Sequence, residues 1–229
     1  MTKPVCAVIG IGPKNGKAFA RIFSARGYSL ALLSRSTQLS EKLATELGDA
    51  RAYACDASDP DSLASTFKQV REDLGAVDVL IYNAGSGSWK NVEELTVEEF
   101  ERSWRINALG GLVAAQQVIP DMKSTGAGNI VFVGATASLR GRPMTAGFAP
   151  AKAAQRILAQ SMAKHLGPMG IHVSLLIIDG QIGDPDSPAT QEGKRLDPRD
   201  IAESAYQLTT QPRSAWSFEV DLRPMQETW

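Results

Sequence analysis

Three groups of residues in this 229-residue sequence have the types and spacing to do chemistry. The first is the run GIGPKNG, residues 10–16, which directly follows a short apolar segment. Glycines in such a turn let the backbone approach a pyrophosphate, whose charge then faces the amino end of the next helix. Gly10, Gly12 and Gly16, with Lys14 and Asn15 between them, are therefore a candidate phosphate pocket. The second group is Ser34-Arg35, at the end of the next apolar run. A site for NAD carries an acid there for the ribose 2′-hydroxyl, whereas an arginine accommodates a 2′-phosphate. With Lys14 as a second cation, the pattern favours NADP(H), with NAD as the alternative, over S-adenosylmethionine. Read blandly, both cations are solvated surface charges, as most basic residues are. The third group is Phe148 and Lys152, one helical turn apart, among alanines and with no acid nearby to pair the amine.

Composition narrows what these groups can serve. Hydrophobic residues make up 43% and charged residues 21%, enough for a substantial core in a globular protein. The net charge of −1, without a basic run or charged tail, gives no footprint for nucleic acid or for a membrane surface. No segment approaches the ~18 apolar residues of a membrane span, and Val5–Gly10 is too short for a signal peptide. Cys6 and Cys55 lack metal-ligand spacing and fall within expected strands, so no metal site is expected. Two small buried thiols suit a reducing compartment, and the expected location is the cytoplasm.

The elements that must position the chemistry alternate along the chain. Expected strands are Val5–Ile9, Ser29–Leu33, Ala52–Cys55, Val77–Tyr82, Asn129–Val133, His172–Ile178 and Phe218–Val220. Most are continuous apolar runs, which marks strands buried on both faces of a parallel sheet. Helical patterns lie between them at Gly16–Arg26, Gln38–Leu47, Pro60–Leu74, Val97–Lys123, Thr145–Leu166 and Pro198–Leu208. Thr96 with Glu99 forms a capping box, and Asp197-Pro198 with Asp200 supplies another helix start. Gly27, Gly48 and Gly167 are expected to close helices in left-handed conformations. Sustained strand–helix alternation predicts a single doubly wound, Rossmann-like α/β domain over residues 1–229, with a parallel seven-stranded sheet flanked by helices. The polar segment 180–197, GQIGDPDSPATQEGKRLD, is expected to be a substrate-covering loop.

Taken in order, GIGPKNG, CDASD (55–59), YNAG (82–85), INALGG (106–111), the segment 128–154 and DGQI (179–182) resemble the short-chain dehydrogenase/reductase family over nearly the whole chain. The resemblance implies roles position by position. Gly10 and Gly16 match the family's Gly-rich turn, although its middle glycine falls on Lys14 and its threonine on Ile9. Asp56 matches the acid that bonds the adenine amino group. Asn83, Ala84 and Gly85 match the turn lying along the cofactor, and Asn107 matches a helix asparagine tied to a kink and a proton relay. Lys152 matches the lysine on the nicotinamide ribose. Gly180 and Ile182 match the turn that covers the nicotinamide, with Asp179 in place of a proline.

Two departures bear on catalysis. The family's catalytic tyrosine falls on Phe148, and its serine falls on Ala135, thirteen residues earlier. Losing a positioned general acid typically forfeits around 10²–10⁴ in rate. Thr136 and Asp179 are the candidate substitutes. The bland alternatives are that Thr136 merely orients and that Asp179 caps a turn. Tyr82 reads as packed aromatic, and His172 faces the wrong end of the sheet. Lys152 and Asn107 remain as candidate catalytic residues, with buried structural amide as the alternative for Asn107. Three functions are open: an NADP(H)-dependent oxidoreductase on a small-molecule substrate, either with an altered proton donor or with a substrate that needs none, such as an activated double bond or an imine; an impaired dinucleotide-binding sensor or scaffold; and more remotely a methyltransferase. Family members pair the helices matching 97–123 and 145–166, so a homodimer or homotetramer is expected.

Overall fold

The computed structural model describes residues 3–228. Strands β1 (Val5–Ile9), β2 (Ser29–Ser34), β3 (Ala50–Ala54), β4 (Val77–Tyr82), β5 (Gly128–Ala135), β6 (Ile171–Ile178) and β7 (Glu219–Leu222) form one sheet. Their order is β3-β2-β1-β4-β5-β6-β7, and every neighbouring pair is parallel. All residues of β1 and β6 are buried, as their unbroken apolar runs require. The sheet therefore divides two cores. Ala7, Ile9, Leu80 and Tyr82 pack on one face beneath helices α3 (Pro60–Leu74), α5 (Gly110–Thr125) and α6 (Phe148–Leu166). Cys6, Val8, Val79 and Ile81 pack on the other, beneath α1 (Asn15–Ala25), α2 (Gln38–Leu47) and α8 (Pro198–Thr209). The strand order reverses between β1 and β4. Ligands of open α/β sheets bind at such a switch point, outside the carboxyl ends of the strands.

Several local expectations need correcting. The helical pattern at 97–123 is two helices, α4 (Val97–Trp104) and α5, joined by a π turn at Arg105–Leu109. The helix expected from Thr145 begins at Phe148, after a separate 3₁₀ turn at Pro143–Thr145. Gly167 has φ −53° and opens a 3₁₀ turn, whereas Gly170, at φ +83°, takes the left-handed conformation. The capping box at Thr96 and Glu99 forms in full. At Asp197 the carboxylate is met by the amide and guanidinium of Arg199, and no return bond from Asp200 closes a box.

Segment 180–197 is built, not irregular. Ile182 bridges to Leu196, the Leu196 amide donates to Gln181, and a short helix α7 (Pro188–Gln191) caps the excursion. Buried Leu196 anchors it to the core beneath α8. The carboxyl-terminal tail straps it from outside: the Gln226 amide donates to the Gly193 carbonyl at 3.0 Å.

Candidate active site

The Gly-rich turn leaves β1 under tight backbone constraints. Gly10 has φ +94°, and a Cβ there would fall 2.6 Å from the Ala84 nitrogen. At Gly16 a Cβ would fall 2.5 Å from the Gly10 carbonyl oxygen, so both positions demand glycine. Around Gly12 the space is open within 4 Å. The Asn83 side-chain amide donates to the Gly10 carbonyl at 2.7 Å and so holds the β1 and β4 turns together. Asn15, buried at the start of α1, lines the cleft with its side-chain oxygen unpartnered among the described residues. A cradle closed to side chains, next to an open glycine and an orphaned buried amide, fits a dinucleotide.

The adenosine end is less simple than the sequence suggested. Arg35 is exposed and acts on Asp56 across the β2 and β3 turns. The Asp56 carboxyl is held below its ordinary range, first by bonds from the Ser58 amide and hydroxyl, then by Arg35 and Arg102. Both Ser58 bonds go to Oδ1. Ser34 is engaged in shaping its own turn, through the Ser36 carbonyl and the Ser40 hydroxyl. Lys14 does not stand free beside Arg35: its ammonium donates to the Ile182 carbonyl at 2.6 Å, tying the Gly-rich turn to the covering segment.

At the other end lies a cleft of about 970 Å³. Its deep wall carries Ala135 at the end of β5 and Phe148 at the first turn of α6. Lys152 lies one turn further along α6, 5% exposed, and donates to the Val133 carbonyl at 2.8 Å and to Gln155 Oε1 at 3.1 Å. Burial alone, with no acid in compensation, lowers its pKa to about 7. Its Nζ stands 5.9 Å from the centroid of the Phe148 ring. Asn107 reaches the same place from the π turn. Its Nδ2 donates to the Ser103 and Ser86 carbonyls, at 2.8 and 3.1 Å, and its buried Oδ1 has no partner among the described residues. Gly85 is shared ground: a Cβ there would lie 3.3 Å from Asn107 Oδ1 and 3.7 Å from Lys152 Nζ.

The two candidate substitutes for the missing hydroxyls are bonded to each other. Thr136 Oγ1 donates to Asp179 Oδ1 at 2.5 Å, and Asp179 Oδ2 lies 3.3 Å from the Arg223 guanidinium. At Gly180, φ +145°, a Cβ would fall 2.7 Å from Pro224 Cδ, so the tail packs closely on the turn after β6. Tyr82 is fully buried and donates its hydroxyl to the Ile106 carbonyl at 2.5 Å, and burial pushes its phenol far above the ordinary value. His172 lies between the Leu208 and Ser217 carbonyls and stacks on Trp216. Sequence reasoning missed the mouth of the cleft, where Trp89, Arg140, Arg142, Lys194, Arg195 and Glu227 stand. They come from loops, where no period or motif marks them. Among the described residues no cluster of metal-ligating side chains occurs, and no helix is long and apolar enough to cross a membrane.

Residues 5–180 match the family model for short chain dehydrogenase. The chain belongs to the short-chain dehydrogenase/reductase family. An uncharacterized oxidoreductase of Staphylococcus aureus strain N315 is 24% identical over 98% of this chain and 99% of its own. A short-chain dehydrogenase from Rhodopseudomonas palustris is 33% identical, with a TM-score of 0.85 over 96% of this chain and 98% of that one. An alcohol dehydrogenase from Thermococcus sibiricus, complexed with 5-hydroxy-NADP, is 29% identical with a TM-score of 0.89 over 98% of both chains. A blue fluorescent protein from a metagenomic library, in complex with NADPH, is 27% identical with a TM-score of 0.87 over 97% of each chain.

Proposed function

We propose that the protein is an NADP(H)-dependent oxidoreductase whose substrate does not take its proton from a tyrosine. The observation that carries this is the floor of the cleft, where the buried Lys152 amine persists beside Phe148 and Ala135. The cradle of Gly10, Gly12 and Gly16 would receive the pyrophosphate, and Arg35 the 2′-phosphate. Asp56 would receive the adenine amino group, and Lys152 the nicotinamide ribose. Asn83, Ala84, Gly85, Gly180 and Ile182 would line the remaining length, closed in by the Lys14 bond to Ile182. When bound, the cofactor supplies or accepts a hydride.

This chain's own residues then orient the substrate. Phe148 and Trp89, with ring centroids 5.5 Å apart, offer an apolar wall to a flat substrate. Neither Phe148 nor Ala135 can hold a proton, so an ordinary ketone lacks its donor. An activated double bond or an imine, which can take a proton from water, suits the site better. Positioning alone still contributes a large rate factor. The bond from Thr136 to Asp179 favours a second reading, a dinucleotide-binding sensor or scaffold, because it engages both nearby polar groups.

Purified protein with NADPH and a panel of ketones, activated alkenes and imines decides between them. Oxidation of NADPH with an alkene or imine, and little with ketones, is expected. Tight NADPH binding without oxidation on any substrate would favour the sensor. Phe148→Tyr with Ala135→Ser should raise ketone reduction by about tenfold or more, within the range of a restored general acid. Absence of any gain would show that the pocket has diverged beyond those two side chains.

A further inference from the structure

The mouth of the cleft carries a charge that the dinucleotide cradle does not explain. Arg140 and Arg142 stand on the loop between β5 and α6, and Lys194 and Arg195 on the covering segment. Lys194 pairs with Glu192 on the surface. The guanidiniums of Arg140, Arg142 and Arg195 have no carboxylate within ion-pair distance among the described residues. Two acids line the cleft: Asp179, paired with Arg223, and Glu227, next to Gly180. A chain of net charge −1 thus concentrates positive charge at one opening. Low-dielectric walls around such a cluster focus its field on an anion.

Position separates this cluster from the phosphate turn. The Gly-rich turn follows β1, while Arg140 and Arg142 follow β5, two strands along the sheet. At a strand spacing of ~4.8 Å, that offset is roughly 10 Å. The same cleft is lined by an aromatic wall, with Trp89 65% exposed and tilted 45° to Phe148. We propose that the substrate is an organic carboxylate with a flat, apolar body: the body lies against Trp89 and Phe148, and Arg140 and Arg142 bind the carboxylate. Guanidinium forks match carboxylate geometry in paired hydrogen bonds. The proposal rests on this cleft being the reaction site, and it adds the charge and shape of what enters it.

trans-Cinnamate and cinnamamide are suitable probes, because they share a flat conjugated body and differ in charge. Each is titrated calorimetrically into protein saturated with NADPH. Cinnamate should bind about tenfold more tightly than the amide, as charge-assisted hydrogen bonds would give. The preference should shrink with added salt. Arg140→Gln with Arg142→Gln should abolish the preference and leave NADPH affinity unchanged, whereas Arg140→Lys with Arg142→Lys should retain part of it. Both side chains are exposed, and circular dichroism checks that the variants fold. Equal affinity for acid and amide, or no binding of either, would overturn the proposal. A Gln variant that loses NADPH affinity but keeps the acid preference would also overturn it. If NADPH itself fails to bind, the proposed function falls, and the same acid–amide comparison on the protein alone decides the anion site.

Discussion

Lys152 is costly to keep where it is. Its folded pKa of about 7 lies below the ~10.4 of an exposed lysine, so between those values the unfolded chain binds the extra proton. Stability therefore rises with pH across that window, and the penalty is full below pH 7. Lys152→Met should be most favourable to stability, relative to the parent, near pH 6. That advantage should fall by up to about 5 kcal/mol by pH 10.5, at 1.36 kcal/mol per pKa unit, as read by urea denaturation at several pH values. Lost bonds to Val133 and Gln155 would add a constant cost of roughly 1–3 kcal/mol. A flat difference between variant and parent would mean that the amine keeps the pKa of an exposed lysine in the folded chain. At this scale the deep site was legible, because Ala135, Phe148 and Lys152 sit at fixed spacings on one strand end and one helix. The pairing of Asp179 with Arg223 was not, since it depends on where the tail returns.

Between elements, the π turn at Arg105–Leu109 does the positioning. Such turns free backbone groups and recur at functional sites. Here the Ile106 carbonyl takes the Tyr82 hydroxyl, and Asn107 Oδ1 stands with Lys152 Nζ beside Gly85. Tyr82→Phe should cost about 1–3 kcal/mol in urea denaturation, the penalty of a buried carbonyl left alone. Gly10→Ala should be harsher for function than for folding. Its positive φ and its contact with Ala84 should cost about 1–3 kcal/mol and abolish NADPH binding measured by calorimetry. Strand and helix existence followed from periodicity, but the break inside 97–123 did not. A π turn takes in one extra residue, so the apolar stripe steps by one position, and no residue type marks where the step falls. The order within 180–197 was hidden for a different reason: its bridge and tail contacts join residues far apart in the sequence.

Over the whole molecule, the sheet was legible from alternation alone, while what the surface presents was not. Val97, Phe100 and Trp104 on α4 and Ile157 on α6 are exposed apolar side chains. We expect them to be covered in a homodimer or homotetramer, as measured by light scattering on a sizing column. Phe100→Glu with Trp104→Glu should then lower the mass, and a parent that elutes as a monomer would refute this. Arg223→Met should speed amide exchange across 180–196, because that guanidinium ties the tail to Asp179 beneath the covering segment. The tail also has a practical bearing. Glu227 lines the cleft, which lies at the carboxyl ends of the strands, while Val5 stands at the amino end of β1. An affinity handle fused after residue 228 would therefore begin beside the cleft and crowd its entrance, whereas one placed ahead of residue 3 would leave from the opposite side. Assays of turnover belong with the second arrangement.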